Sequence, residues 1–306
     1  MIVYIFDQTF DGVLSAVFDA YFRHQSPDML LGKSEQLPLF CEEMHEVVSD
    51  EKKAQRVWAG LEKRLSKEAL HIIMVSWMSE EKELNTPLFH YIYKVFQQPA
   101  GESSIECNFS DPDVLYVTNT ARRVLHEQLR MKQFIRFQKA KDGTYLAVVS
   151  PDNDVLPLIT DHFQDRFNDQ PWLIYDAKRH YGYYYTPPLS PPLKGEGKMD
   201  NSPSIGETES LPSPHREEAK KEELPSHHRG GARGGVIRIT FEDESTVPFN
   251  LENGKLNEEV ISSDDRLLQD LWRTYFKAIC IKERMNPKKQ LSDMPRRYWK
   301  YMTEKN

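Results

Sequence analysis

Asp176, Arg179 and His180 stand together between two aromatic runs, Pro171-Trp-Leu-Ile-Tyr-Asp and Tyr181-Gly-Tyr-Tyr-Tyr. A carboxylate, a guanidinium and an imidazole at one turn can grip a nucleotide or pass a proton, and this is the best catalytic candidate in the chain. A plain turn with paired charges accounts for the same three residues. Asp161, His162 and Asp165 share a helical stretch but lack two histidines four apart, so His162 reads as a packed side chain before a metal ligand. Asp7 and Asp11 sit where the first strand ends and the first helix begins, and Asp11 reads as a cap of that helix. Cys41, Cys107 and Cys280 are too scattered for a disulfide framework, a metal cluster or an iron–sulfur site. The paired glycines Gly230-Gly231 and Gly234-Gly235 precede a strand and make no phosphate loop. We therefore expect neither a metal nor a cofactor.

The C-terminal stretch carries a different chemistry. Lys282-Glu-Arg-Met-Asn-Pro-Lys-Lys-Gln is rich in cations, and Met294-Pro-Arg-Arg-Tyr-Trp-Lys-Tyr interleaves more of them with aromatic rings. Cations neutralise phosphates and rings stack on bases, so we expect Arg273, Arg284, Lys288, Lys289, Arg296, Arg297, Tyr298 and Trp299 to contact nucleic acid. A helix that buries Tyr298 and Trp299 and leaves the cations in water is the alternative. No base-reading motif is present, so such binding would ignore sequence.

The charge distribution agrees with a local binding face. The chain of 306 residues has a net charge of -7, yet residues 1–111 carry -8 while residues 112–141 and 264–306 each carry +5. Arg122, Arg123, Arg130 and Arg136 make up most of the central excess. The whole molecule gives no general attraction to DNA; two basic segments on an acidic body can still form a phosphate-binding patch or pair with the acidic first third.

These residues need elements to hold them. Met1 to Phe6 reads as a strand, and Leu14, Val17, Phe18, Tyr21 and Phe22 recur at helical spacing over Asp11 to His24. Further helices are expected over Glu51–Leu70, Thr86–Phe96, Asp111–Lys132 and Asn153–Phe167. Phe134 to Lys139 and Thr144 to Val149 read as a hairpin around a two-residue Asp142-Gly143 turn. Val236 to Phe241 alternates apolar and polar residues as a strand does. Ser263 is expected to cap a last helix with Leu267, Leu268, Leu271, Tyr275 and Ile279 as its apolar stripe.

From Thr186 to Gly235 run fifty residues with eight prolines, seven glycines and no Phe, Trp or Tyr. Such a stretch cannot bury enough apolar surface to offset its ordering entropy, and it reads as a disordered insert in a hairpin loop. The expected architecture is α+β: a mostly helical part over 1–133, an antiparallel sheet of β-β-α-β-β order over 134–185, the insert over 186–235, and closing strands with a basic helical segment over 236–306. No apolar run approaches the roughly 20 residues a membrane span needs, and no basic leader precedes the first strand, so we place the protein in the cytoplasm.

The stretch from Leu271 to Glu304 resembles a family of uncharacterised proteins linked to DNA repair and DNA metabolism. The resemblance is carried by Leu271-Trp272-Arg273, Tyr275, Arg284-x-Asn286-Pro287 and Met294-Pro295-x-Arg297-Tyr298-Trp299. Upstream, Tyr175-Asp176-x-x-Arg179-x-Tyr181-Gly182 and Phe10-Asp11-Gly12 reinforce it. It implies a gene beside that of a radical-SAM protein of DNA modification or repair, and a relative fused ahead of uracil-DNA-glycosylase-like domains. The chain stops seven residues after Trp299, so no such domain is expected to follow. The family supplies no catalytic residues. The reading that results is a DNA-repair accessory protein that binds DNA and works with a radical-SAM partner. Its rivals are an enzyme acting on damaged DNA through Asp176, Arg179 and His180, and a pure protein-interaction subunit.

Lengthening a loop from about 5 to about 50 residues costs roughly 2 kcal/mol. Deleting residues 187–234 should therefore leave the melting temperature nearly unchanged. A cooperative loss of folding in a thermal melt of that deletion would make the insert structural.

Overall fold

The computed structural model describes residues 1–99, 104–188, 235–241, 251–252, 255–257, 259–279 and 286–302. The expected insert lies outside the described residues except at its ends, and so does Arg284. The α+β class holds, and the chain divides into two compact units.

The first unit comprises Met1–Arg130 with Pro151–Val155. Its centre is β1 (Ile2–Phe6), a β-branched and aromatic run with Val3, Tyr4 and Phe6 wholly buried. The chain leaves β1 through α1 (Phe10–Arg23) and returns as β2 (Met29–Gly32), parallel to β1 with Val3 opposite Met29. Residues 33–42 then carry it to β3 (Glu43–Glu46), parallel to the other side of β1. Neither β2 nor β3 is legible in the sequence, because each has four residues and Glu-Met-His-Glu has no apolar alternation. Thr9, and not Asp11, caps α1: its hydroxyl accepts from the Gly12 N–H at 2.9 Å, which leaves Asp11 exposed in the first turn.

Where helical spacing predicts one helix from Glu51 to Leu70, there are two, α2 (Glu51–Glu62) and α3 (Lys67–Trp77). Ser66 divides them by accepting from the Ala69 N–H at 3.1 Å, a bond a mid-helix serine could not make. Next come α4 (Asn85–Gln97) and α5 (Pro112–Phe134), whose residues to Arg130 belong to this unit. Asp111 caps α5, accepting from the N–H groups of Asp113 and Val114 at 2.9 and 3.4 Å. Glu127 is 2% exposed and accepts from the N–H groups of Asp152 and Asn153 at 3.0 and 2.8 Å, which ties Pro151–Val155 to this unit.

The second unit comprises Met131–Ser150 and Leu156–Asn306. Its strands are β4 (Gln138–Lys139), β5 (Tyr145–Val149), β6 (Trp172–Asp176), β7 (Tyr181–Thr186) and β8 (Gly235–Thr240), hydrogen-bonded in that order. The sheet is mixed where an antiparallel one is expected: β5 and β6 run parallel. The reason is the helical connection between them, because strands joined through a crossover point the same way. That connection holds a 3-10 turn (Leu156–Leu158) and α6 (Thr160–Arg166), shorter than the helix expected from Asn153 because Pro157 falls inside it. The β4–β5 turn also departs from expectation. Ala140 donates to the Thr144 carbonyl at 2.8 Å, so the loop has three residues, and Gly143 alone takes a positive φ, of 90°.

All five β6 residues are buried, as befits a strand covered on both faces. Trp172 packs with Phe137, Phe163 and Tyr185 on one face, while Leu173 and Tyr175 pack with Val148 and Phe241 on the other. Two short strands, β9 (Leu251–Glu252) and β10 (Lys255–Leu256), make a small antiparallel pair. They are followed by α7 (Ser263–Ile279), α8 (Pro287–Asp293) and a 3-10 turn (Arg296–Tyr301). The cap of α7 is Ser262, one residue before the expected Ser263, since its hydroxyl accepts from the Asp265 N–H at 3.3 Å. The expected apolar stripe of α7 faces solvent: Leu267, Leu268, Leu271 and Tyr275 are all more than half exposed. Ile279 is a helical residue whose side chain lies outside the description.

Asp111 gives the first unit a pH dependence of known sign. Burial opposes its charge, but the Lys94 ammonium at 2.7 Å and the two capping N–H groups prevail and hold its carboxyl below the ordinary 3.8. A depressed folded-state value means stabilisation that is complete above pH 3.8 and is lost as pH falls through the lower folded value. In acid titrations followed by circular dichroism, Asp111→Asn should lose stability at neutral pH and show a shallower decline below pH 4 than the native chain.

Candidate functional site

The β6–β7 turn brings Asp176, Arg179 and His180 together. Asp176 ends β6 with no solvent exposure, and its Oδ1 accepts from the N–H groups of Lys178 and Arg179 at 2.8 and 3.4 Å. Its Oδ2 takes the Arg179 guanidinium at 2.8 Å, and that side chain is only 10% exposed. The His180 N–H donates to the Asp176 carbonyl at 2.9 Å, and the His180 carbonyl accepts from the Phe241 N–H at 2.8 Å, which fastens the turn to the end of β8. His180 has a φ of 54°, a left-handed conformation that costs a residue with a Cβ roughly 1–2 kcal/mol. Its Nδ1 lies 3.2 Å from the Tyr175 hydroxyl. Gly182 completes the arrangement: a Cβ there would stand 2.6 Å from the Ile174 carbonyl oxygen, so only glycine lets β7 approach β6.

Asp176 therefore spends its carboxylate on one buried guanidinium and two backbone N–H groups. That is the geometry of a turn built to be rigid. His180 is half-buried.

The C-terminal candidates separate into two groups. Lys288, Lys289 and Arg296 are exposed and take part in no ion pair among the described residues. Arg273 instead holds Asp270 at 3.3 Å. Tyr298, expected as a stacking platform, is 3% exposed: it packs on Phe134 at 6.0 Å, with the Arg297 guanidinium 4.8 Å above its ring and donating to its hydroxyl at 2.6 Å. Tyr298 and Arg297 thus anchor the 3-10 turn to the end of α5. Trp299 is half-buried, with its Nε1 donating to the Met294 carbonyl at 3.0 Å and Arg296 5.9 Å from the ring. Of the expected contacts, this leaves the exposed Lys288, Lys289 and Arg296 able to meet a polyanion.

A groove in the first unit is absent from the sequence reading. It has a volume of about 1150 Å³, and its lining includes Phe18, Tyr21, Phe22, Arg23, Arg56 and Phe96. At its side Asp19 takes the His45 Nε2 at 3.1 Å and the Lys53 Nζ at 2.7 Å. Helical spacing assigns Tyr21 and Phe22 to the core, yet they are 59% and 77% exposed. The signal that separates them is the cation spacing on the neighbouring helix, where Lys53 and Arg56 lie 5.8 and 5.6 Å from the Phe18 ring.

Of the other early candidates, His162 is half-buried against Phe163, and burial with the nearby cations Lys132 and Arg166 pushes its ionisation down. Asp7 accepts from the Thr9 hydroxyl at 2.7 Å; burial opposes its charge, but the Thr9 and Ser49 hydroxyls hold its carboxyl below the usual value. Among the described residues, no three His, Cys, Asp or Glu side chains converge to hold a metal, and no helix is long and apolar enough to cross a membrane.

What these features define is an α+β protein with a locked polar turn and a basic C-terminal surface. Its family follows from comparison: the chain belongs to the DUF4130 family, a domain of unknown function whose model matches residues 82–304. Neither a curated protein nor a solved structure matches the chain.

The burial of the turn sets an expectation for mutagenesis. Arg179→Ala strands a buried carboxylate, so it should cost about 3–5 kcal/mol of stability. A drop in melting temperature by differential scanning calorimetry measures this; an unchanged value would mean that Asp176 finds another partner and that Arg179 is free to serve a ligand.

Proposed function

We propose that this protein is a non-catalytic accessory factor of DNA repair that binds nucleic acid through its C-terminal surface. The observation that carries the reading is that Lys288, Lys289 and Arg296 are exposed cations with no carboxylate partner among the described residues, Arg296 lying 5.9 Å from the half-buried Trp299 ring. Lys288 and Lys289 also occupy the first turn of α8, where the helix dipole disfavours cations. A placement that costs stability without a folding partner is what a phosphate contact would explain. The resemblance to DNA-repair proteins encoded beside a radical-SAM enzyme supports the setting and names the partner class, a radical-SAM protein of DNA modification or repair. The rival enzymatic reading through Asp176, Arg179 and His180 is weakened by the commitment of the first two to each other.

Each phosphate neutralised contributes about 0.9 to the salt slope on duplex DNA and about 0.7 on a single strand. Fluorescence anisotropy with labelled single- and double-stranded DNA over a range of salt should give affinity that falls steeply with salt and depends little on sequence. Lys289→Glu combined with Arg296→Glu should weaken binding and flatten the slope by roughly 1 to 2 units. Unchanged affinity and slope in that folded variant would remove the DNA role of this surface and favour a protein-interaction subunit.

A further inference from the structure

The connection from β2 to β3 presents a short apolar peptide to solvent. It must carry the chain from the level of Phe6, opposite Gly32, to the level of Ile2, opposite Glu43, and past β1 on the way. Strand rise and spacing make that distance roughly 16 Å, whereas ten residues reach about 33 Å, so the middle of the connection bows outward. Its two ends are fastened. The Gly32 N–H donates to the Glu35 carboxylate at 2.9 Å, and at the other end the Glu42 N–H donates to the Met1 carbonyl at 3.0 Å while the Glu42 carboxylate pairs with the N-terminal ammonium at 3.0 Å.

Between these anchors lies Gln36-Leu37-Pro38-Leu39-Phe40. Leu37 is 49% exposed, Leu39 97% and Phe40 87%, and Gln36 is exposed beside them. A single exposed leucine needs no explanation, but three large apolar side chains within four residues are costly in water unless something covers them. Among the described residues, no backbone hydrogen bond engages Gln36 to Phe40. Pro38 fixes its own φ and confines Leu37 to extended conformations, so the peptide forfeits less entropy when a partner holds it. A proline-stiffened strip that bends at Leu39, carries adjacent apolar anchors and has backbone groups bonded to nothing else described is the chemistry of a linear peptide that docks into another protein.

We infer that Gln36–Phe40 is a docking peptide for a protein cleft that offers apolar pockets to Leu37, Leu39 and Phe40 and a polar subsite to the Gln36 carboxamide. In a protein that acts on DNA, the ring-shaped sliding clamp that encircles DNA is the partner with such a cleft, and the inference commits to it. The choice of partner rests on the DNA reading above, while the peptide itself does not. The segment lies outside residues 82–304, the part of the chain that the family model matches.

The test is surface plasmon resonance with the full chain and the purified sliding clamp of the same cell, without DNA. Saturable binding is expected, with Leu39→Ala combined with Phe40→Ala weakening it about 30-fold or more, the loss expected when a buried anchor is truncated. Both side chains are already in water, so the melting temperature of that variant should be unchanged. Gln36→Ala should weaken binding less, and Lys289→Glu with Arg296→Glu should leave it intact. No binding by the native chain, or equal binding by the Leu39/Phe40 variant, overturns the inference. Sedimentation equilibrium of the chain alone provides a further check: self-association abolished by the same variant would make the strip a contact between copies and overturn it too. DNA affinity measured in parallel should be unaffected in the Leu39/Phe40 variant, so the failure of one reading leaves the other standing.

Discussion

Parallel strand pairing governs where this protein keeps its chemistry. Two neighbouring strands that run the same way cannot be joined by a tight turn, so the chain must travel the length of the sheet before it pairs again. It does so three times: through α1 between β1 and β2, through residues 33–42 between β2 and β3, and through α6 between β5 and β6. Each excursion is the origin of a functional candidate. The first delivers Phe18, Tyr21 and Phe22 to the groove, and the second exposes Leu39 and Phe40. The third sets β6 in the middle of its sheet, so that Asp176 emerges at a strand end already covered on both faces.

Burial of charge is the second organising fact. Asp176 and Glu127 have almost no contact with water, and each is satisfied by backbone N–H groups that a helix or strand does not use. Such carboxylates are expensive alone and inexpensive when every lone pair is met. They therefore fix one local geometry: Asp176 that of its turn, Glu127 the attachment of Pro151–Val155 to the helix that bears it. The same logic separates binding from structure in the basic C-terminal segment. Arg297 and Tyr298 hold each other and the end of α5, whereas Lys288, Lys289 and Arg296 form no ion pair among the described residues.

The sequence makes the long periodic elements plain and hides the short ones. Over α1, α4 and α5 the apolar spacing marks the helix to within about two residues, and the cap at Asp111 is visible because a short acid precedes proline. The strands β2 and β3 leave no such mark, since their burial is decided by β1 and not by their own alternation. Ser66 splits a helix that periodicity would continue, because capping is a local bond that a moment over many residues averages away. The candidate site shows the same divide. Clustering of Asp176, Arg179 and His180 follows from adjacency, but the ion pair between the first two depends on burial supplied by distant parts of the chain. Tyr298 and Phe22 exchange roles for that reason, one expected on the surface and buried, the other expected inside and exposed.

The pairing of β7 with β8 has a consequence of its own. Thr186 stands directly opposite Gly235, the first of six residue pairs in a ladder that runs to Tyr181 and Thr240. The chain thus leaves the sheet and re-enters it at adjacent points, so the ladder itself sets no length for the segment that joins them. That makes the junction a natural place to divide the gene: two polypeptides ending near Thr186 and beginning near Gly235 carry complementary strand edges and could reassemble by hydrogen bonding alone. The position would serve equally as a port for a reporter domain whose own termini lie close together, reading out the state of the protein without touching the groove, the exposed peptide or the basic surface.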